Sequence, residues 1–560
     1  MTNPVTGGDA LAAQLVREGV SHVFGVPGLQ LDHAIDGLAR LDGGLAFHTT
    51  RHEQGAAYMA DGYARVTGRP GVCLVVPGPG VLNTMAALST AWACSSPVVC
   101  LAGQIPLSAI GRHLGLLHDI PDQSGALATV TKWRGMATRA DDIPSLVREA
   151  FRAATSDRPR PVALELPPDV LAAPVSESAP IGCSSSVKRE TPPAADVARA
   201  AALLSQARQP LIYAGGGVIA GSAWRELRAL AERLQAPVVM SENGRGAVSD
   251  RHPLALVSLG GRALLPHADV VLVVGSRFLN GMGEPVGRAA QATFIHLNVD
   301  PVDLGPPRRI DVALAGDAAS GLVALLDALP ESCRPTSPAV NLDRVRAWCG
   351  AQIDAVEPQR SWVRALRAAV PDDGVLVTEL TQVSYLAQVA FPVYEPRAYI
   401  TPGYQGTLGY GFATALGAAA GVPGRAVVCL TGDGGFGWTL SELATARKYG
   451  WPLVTVVFSD GAYGNVKRTQ RLRFGGRVFG SELENPDFVR LASAFGVDAA
   501  RAATPGELEG VLREAIGGRR PAVIEVPVGD MPSAWHLLHD FVPPPVPPPP
   551  SPLDEPPGAE

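Results

Sequence analysis

The segment Ala426-Val427-Val428-Cys429-Leu430-Thr431-Gly432-Asp433-Gly434-Gly435-Phe436 decides how this chain is read. A short apolar run bounded by glycines is the pattern of a buried parallel strand, and here it hands a carboxylate, Asp433, to the turn at its end. A second apolar run, Leu453 to Phe458, ends in the same way with Ser459-Asp460-Gly461-Ala462-Tyr463-Gly464-Asn465. Two strands therefore bring one carboxylate each to one sheet edge, and the glycines let backbone approach a bulky anion. That arrangement suits a divalent cation clamped onto a diphosphate, because Mg2+ prefers hard oxygen ligands shared between carboxylates and phosphates.

Helical and strand patterns alternate through most of the 560 residues, which predicts an α/β chain of mostly parallel sheets divided into several cores. A first block, 1–173, holds an amphipathic helix at Asp9–Glu18, a strand at Ser21–Gly25 and apolar runs at Val72–Val76, Val98–Ala102 and Val162–Leu166. Residues 174–193 read as a Ser- and Pro-containing linker. A second block, 194–330, has strand patterns at Pro210–Tyr213, Pro237–Met240, Val270–Val274 and Thr293–Asn298, and the third block, 341–530, carries both carboxylate loops. Residues 542–560 are dominated by proline and are expected to be disordered or extended.

Net charge is −6 with the signs mixed, and no basic stripe appears, so neither a nucleic acid nor a membrane is expected as a partner. No uninterrupted apolar stretch is long enough for a membrane span, and the start, Met1 to Gly8, has no signal-peptide pattern. The seven cysteines lack a C-x-x-C spacing and read as reduced thiols of a cytoplasmic protein.

Block one contributes Thr49-Thr50-Arg51-His52-Glu53-Gln54-Gly55-Ala56-Ala57 and then Pro77-Gly78-Pro79-Gly80-Val81-Leu82-Asn83. With Gly25-Val26-Pro27-Gly28, Gly406-Thr407-Leu408-Gly409 and the two carboxylate loops, these segments resemble, in order and spacing, the thiamine diphosphate (ThDP) enzymes of the acetolactate synthase-like, pyruvate oxidase-type family. The resemblance implies a pyrimidine-binding first domain, a Rossmann-like central domain and a diphosphate-binding third domain. It implies ThDP bound between the first domain of one subunit and the third domain of another, hence a homodimer or homotetramer. Glu53 would be the catalytic carboxylate at the aminopyrimidine ring, and Leu408 the apolar prop beneath the cofactor. Asp433, Asp460 and the Ala462 carbonyl would hold Mg2+. Pro27, Asn83, Thr381, Gln382, Gly406, Gly434, Gly435, Tyr463, Gly464 and Asn465 would complete the cofactor site. The implied chemistry is decarboxylation of a small-molecule 2-oxo acid followed by carboligation, as in acetolactate synthase. A simple 2-oxo acid decarboxylase or a CoA-linked lyase is the alternative within the fold. An NAD-linked dehydrogenase or an inactive binding subunit would leave the three carboxylates without a joint role.

The chain departs from the family pattern at several points. Asp460 stands where most relatives carry asparagine. Asn465-Val466-Lys467-Arg468-Thr469-Gln470 replaces the Met-Val-x-Gln-Trp run of acetolactate synthases, with Arg468 at the Gln position and Thr469 at the Trp position. Lys467 and Arg468 are candidates for an acidic acceptor, against the plainer reading of a solvated cationic face. His113, His118 and Gln123 lie where relatives place residues near substrate, and loop histidines with only local hydrogen bonds are the plainer reading there. Gly215-Gly216-Gly217-Val218-Ile219-Ala220 imitates a dinucleotide fingerprint, but Ser276-Arg277-Phe278-Leu279-Asn280 differs from the Arg-Phe-Asp-Asp-Arg of FAD-containing synthases, so FAD is not the favoured reading.

Overall fold

The computed structural model describes residues 5–41, 43–176, 182, 189–281, 283–287, 291–331, 341–538 and 549–554. Three six-stranded, wholly parallel sheets succeed one another along the chain. The first is formed by β1 (His22–Gly25), β2 (Ala46–Thr49), β3 (Gly71–Val75), β4 (Val98–Gly103), β5 (Trp133–Met136) and β6 (Val162–Leu166) in the order β2-β1-β3-β4-β6-β5. The second contains β7 (Pro210–Ala214), β8 (Val238–Met240), β9 (Ala255–Val257), β10 (Val270–Val274), β11 (Thr293–Asn298) and β12 (Val312–Ala315), ordered β12-β11-β10-β7-β8-β9. The third has β13 (Val375–Thr378), β14 (Tyr399–Ile400), β15 (Val427–Gly432), β16 (Leu453–Ser459), β17 (Asp498–Arg501) and β18 (Ala522–Pro527) in the order β14-β13-β15-β16-β18-β17.

The first and third sheets thus share one strand order, and the second is doubly wound, its order reversing between β7 and β10. The α/β class expected from the alternation holds in all three. Inner strands such as β10 are buried at every position, as continuous Val/Leu runs require when helices cover both faces. Each such side chain contributes about 1.5–3 kcal/mol by leaving water. Edge strands β2, β5 and β17 are only partly buried. Their mixed composition is why the sequence did not announce them.

The first and third sheets are held together within the chain by two helices rich in small residues, Glu53–Thr67 and Tyr410–Gly421. A Cβ on Gly62 would lie 1.9 Å from the Thr414 carbonyl oxygen, and one on Gly417 would lie 1.9 Å from that of Met59. Only glycine allows backbones to approach this closely, which explains the Gly/Ala-rich composition of both segments. The inner part of the 174–193 linker and most of the proline-rich tail lie outside the described residues. Within the tail, Ser551 donates to the Ala263 carbonyl at 3.2 Å, and Leu553 packs on the core shared by the second and third domains. Among the described residues no helix is long and apolar enough to cross a membrane.

Candidate active site

The functional side chains lie just beyond the carboxyl ends of the first and third sheets, where open α/β folds bind ligands. In the first domain β2 ends at Thr49, and Glu53 opens the next helix, with His52 as N-cap accepting the Gln54 amide at 3.1 Å. Glu53 is half-buried, and its Oε2 accepts from Asn83 Nδ2 at 2.9 Å. Asn83 sits on the helix Pro79–Cys94, and a Cβ on Gly80 of that helix would lie 3.5 Å from Glu53 Oε1. Pro27 follows β1 and is exposed, next to Gly28, which packs on Val76.

Two residues that the sequence did not single out fix this half of the site. Glu442, from the third domain, accepts the Arg51 amide at 3.0 and 3.2 Å and the His52 amide at 3.0 Å, clamping the entry to the Glu53 helix. Glu165, fully buried on β6, accepts from Gln123 Nε2 at 3.0 Å and Gln104 Nε2 at 2.8 Å. Gln123 Oε1 in turn accepts the Gly78 amide at 2.8 Å. Gln123 is itself buried, so its amide secures the turn that leads to Asn83.

In the third domain Asp433 is 3% exposed and opens the helix Asp433–Thr439. Its Oδ2 accepts from the Gly461 amide at 2.8 Å, Asn485 Nδ2 at 2.6 Å and Ser459 Oγ at 3.4 Å. Asp460 is pushed up to about 6, by burial first and then by the neighbouring Asp433 charge. Its Oδ1 accepts the Ala462 amide at 3.1 Å. A buried and a half-buried carboxylate that repel each other are mutually destabilising, and a divalent cation relieves that repulsion. Two neighbouring carboxylates are the donor type that suits Mg2+. Asn485 is a further neighbour of Asp433 that sequence spacing could not reveal.

Glycines allow close packing around this pair. A Cβ on Gly464 would lie 2.4 Å from Asp460 Oδ2, and one on Gly434 would meet the Tyr463 ring at 2.8 Å. Thr381 caps the helix Gln382–Ala390 by accepting the Ser384 amide at 3.1 Å, and the Gly464–Arg473 helix begins beside it: Gln382 Nε2 donates to Asn465 Oδ1 at 3.3 Å. Helices start at 382, 433 and 464, beside or at the carboxylates, and helix starts are where anions bind. Gly406 and Gly409, at φ +58° and +79°, carry Leu408 in a tight loop that leaves it 36% exposed.

The remaining candidates divide. His113 is exposed, whereas His118 Nδ1 lies 3.2 Å from Gln30 Oε1, and its carbonyl packs 2.3 Å from where a Gly78 Cβ would be. Lys467 is paired with Glu482 at 3.0 Å. Arg468 donates to Gln382 Oε1 at 2.6 Å and to Asn465 Oδ1, beside the start of the Gly464–Arg473 helix.

The fingerprint-like glycines of the central domain border a cavity of about 810 Å³ lined from all three domains. Gly215 and Gly217 are explained by packing: their Cβ atoms would lie 2.3 Å from the Gly275 carbonyl oxygen and 2.6 Å from Gly275 Cα. The spacing serves a crossing of two loops at the sheet's switch point.

Three family models cover the chain in order: the N-terminal TPP binding domain of thiamine pyrophosphate enzymes at 5–126, their central domain at 197–325 and their C-terminal TPP binding domain at 379–526. A probable 2-ketoarginine decarboxylase of Pseudomonas aeruginosa is 36% identical, over 93% of this chain and 94% of its own length. A probable acetolactate synthase large subunit of Methanocaldococcus jannaschii is 34% identical, over 93% and 91%. The acetolactate synthase isozyme 3 large subunit of Escherichia coli is 32% identical, over 91% and 92%.

Proposed function

The chain belongs to the thiamine pyrophosphate enzyme family, and on that premise we propose that it decarboxylates a 2-oxo acid with ThDP and Mg2+ as cofactors. The observation that carries the reading is the pair of clusters at matching sheet ends, Glu53 with Asn83 and Asp433 with Asp460. When bound, ThDP supplies the carbon nucleophile and the electron sink for loss of CO2. Glu53 is the group that holds and returns a proton at the aminopyrimidine nitrogen, and Asn83 orients its carboxylate. Asp433, Asp460 and Ala462 hold the cation, and the helix starts at 382, 433 and 464 hold the diphosphate.

The two clusters share no residue, and Leu82, Leu408 and Trp438 beside them are exposed at 48%, 36% and 57%. Both features support a homodimer in which Glu53 of one subunit faces Asp433 of another, covering these side chains.

Release of an aldehyde is the outcome that the acceptor side favours. Lys467 is ion-paired and Arg468 is drawn to the diphosphate side, so the segment that departs from acetolactate synthases presents neither cation freely to a second oxo acid. Ligation to a second carbonyl is the other reading, supported by the synthase relatives. The glycine spacing in the central domain is accounted for by packing, and FAD forms no part of the proposal. The test is incubation with ThDP, Mg2+ and a panel of 2-oxo acids that includes pyruvate and 2-ketoarginine, following CO2 and product mass. CO2 with an aldehyde supports decarboxylation, CO2 with a condensed product supports ligation, and no CO2 from any acid refutes the reading.

A further inference from the structure

None of the residues of the helix Gly464–Arg473 is buried, so core packing does not explain why the Arg468 side chain is held so firmly. Its guanidinium donates to Gln382 Oε1 at 2.6 Å, to Asn465 Oδ1, and to the Met531 carbonyl at 3.3 Å. Asn465 is fixed in turn by donating to the Tyr385 hydroxyl at 2.6 Å. All of Arg468's hydrogen-bond acceptors are therefore neutral. The other cations of the helix are treated differently: Lys467 pairs with Glu482 and Arg471 with Asp530. The carboxylates that its charge feels are Asp460 and Asp530, neither of them a hydrogen-bond partner, so the guanidinium acts on Asp460 through space.

Gly464 links Arg468 to Asp460. The position of a Cβ on Gly464 lies 2.4 Å from Asp460 Oδ2 and 3.6 Å from Gln382 Nε2, and Gln382 Oε1 carries Arg468. Carboxylate, glycine, amide and guanidinium thus form one row across the starts of two helices. Asp433 and Asp460 together neutralise the two charges of a divalent cation, so the charge of a diphosphate is left to other groups.

We propose that Arg468 is a diphosphate-site residue whose positive charge compensates for Asp460, an inference that rests on the ThDP reading above. Its role is to bind and balance charge, and the acceptor substrate is not its partner.

The experiment measures ThDP affinity at fixed Mg2+ by calorimetry in the full chain, for the wild type and for Arg468→Gln, Arg468→Lys, Asp460→Asn and the Asp460→Asn/Arg468→Gln double variant, with Tm recorded for each. Arg468→Gln is expected to weaken ThDP binding about 10-fold. Arg468→Lys, which keeps the charge, is expected to stay within about 3-fold of wild type. In the Asp460→Asn background the loss from Arg468→Gln is expected to shrink to about 3-fold or less, since one carboxylate charge is gone. Arg468→Lys binding as poorly as Arg468→Gln, or Arg468→Gln binding as tightly as wild type, would overturn the proposal. So would an equal Arg468→Gln loss in both backgrounds. Failure of the wild type to bind ThDP would instead refute the parent reading.

Discussion

The Glu379 carboxylate accepts the Gly409 amide at 2.7 Å, so a fully interior acid holds the loop that carries Leu408. It also accepts from the Gly411 amide at 3.1 Å and the Thr431 hydroxyl at 2.8 Å, and a Cβ on Gly435 would lie 2.1 Å from its Oε1. Its own backbone leads into Thr381 and Gln382. One side chain therefore joins three of the four third-domain segments proposed for the cofactor. Burial pushes it up to about 7, with the Thr431, Gly409 and Gly411 hydrogen bonds acting in the opposite direction.

Glu379→Gln replaces one acceptor oxygen with a donor facing other donors. It is expected to cost about 2 kcal/mol of stability, as for a buried charge-assisted hydrogen bond, and to weaken ThDP binding. Chemical denaturation and calorimetry on the same preparation would show both losses. Unchanged ThDP affinity in a destabilised protein would reduce Glu379 to a scaffold role.

Glu53→Gln keeps the size of the side chain and an oxygen for Asn83 to approach, but it removes the carboxylate. ThDP binding is expected to stay within a few-fold of wild type, while exchange of the thiazolium C2 proton, read by NMR, falls by about 100-fold or more. Exchange at the wild-type rate would dismiss Glu53 as the proton-handling group.

A site shared between subunits has a complementation signature. Glu53→Gln and Asp433→Ala homodimers are each expected to be inactive. Co-expression of the two chains should restore roughly a quarter of the wild-type activity, because a mixed dimer places both lesions in one site and leaves the other intact. No recovery from mixed dimers verified by mass spectrometry would place both residues in a single-chain site or in none.

His48 predicts a pH effect on stability. His22 Nδ1 and His48 Nε2 are 2.7 Å apart among Phe24, Tyr63, Tyr449 and Trp451. Burial, then the His22 and Lys448 charges, lower His48 to about 4 from 6.5. The unfolded chain takes up this proton first, so stability is lost as pH falls from about 6.5 to about 4, by up to about 3 kcal/mol, and is unaffected above that window. His48→Gln should flatten the dependence in denaturation curves taken across those pH values, and an unchanged slope would assign the acid sensitivity to other groups.

Much of the site was legible because its chemistry is local. Asp433 and Asp460 each end an apolar run beside glycines, and Glu53 follows a strand and opens a small-residue helix, so their neighbours in sequence announce them. Glu379, Glu442 and Asn485 are isolated polar residues whose partners lie far along the chain, and nothing nearby marks them. The Gly215-Gly217 spacing has a packing explanation that the sequence does not show, since both glycines lie against Gly275.

The order of apolar runs and turn residues by itself determined three parallel α/β units and the placing of Asp433 and Asp460 at the ends of two strands, because strand burial and glycine-dependent turns are encoded over a few adjacent positions. Tertiary structure alone decided that the first and third sheets share a strand order, that Glu442 grips the Glu53 helix from another domain, and that Arg468 donates to Gln382 and Asn465 instead of extending into solvent. Those outcomes depend on which distant surfaces come into contact, and contact between distant surfaces leaves no periodicity in the chain.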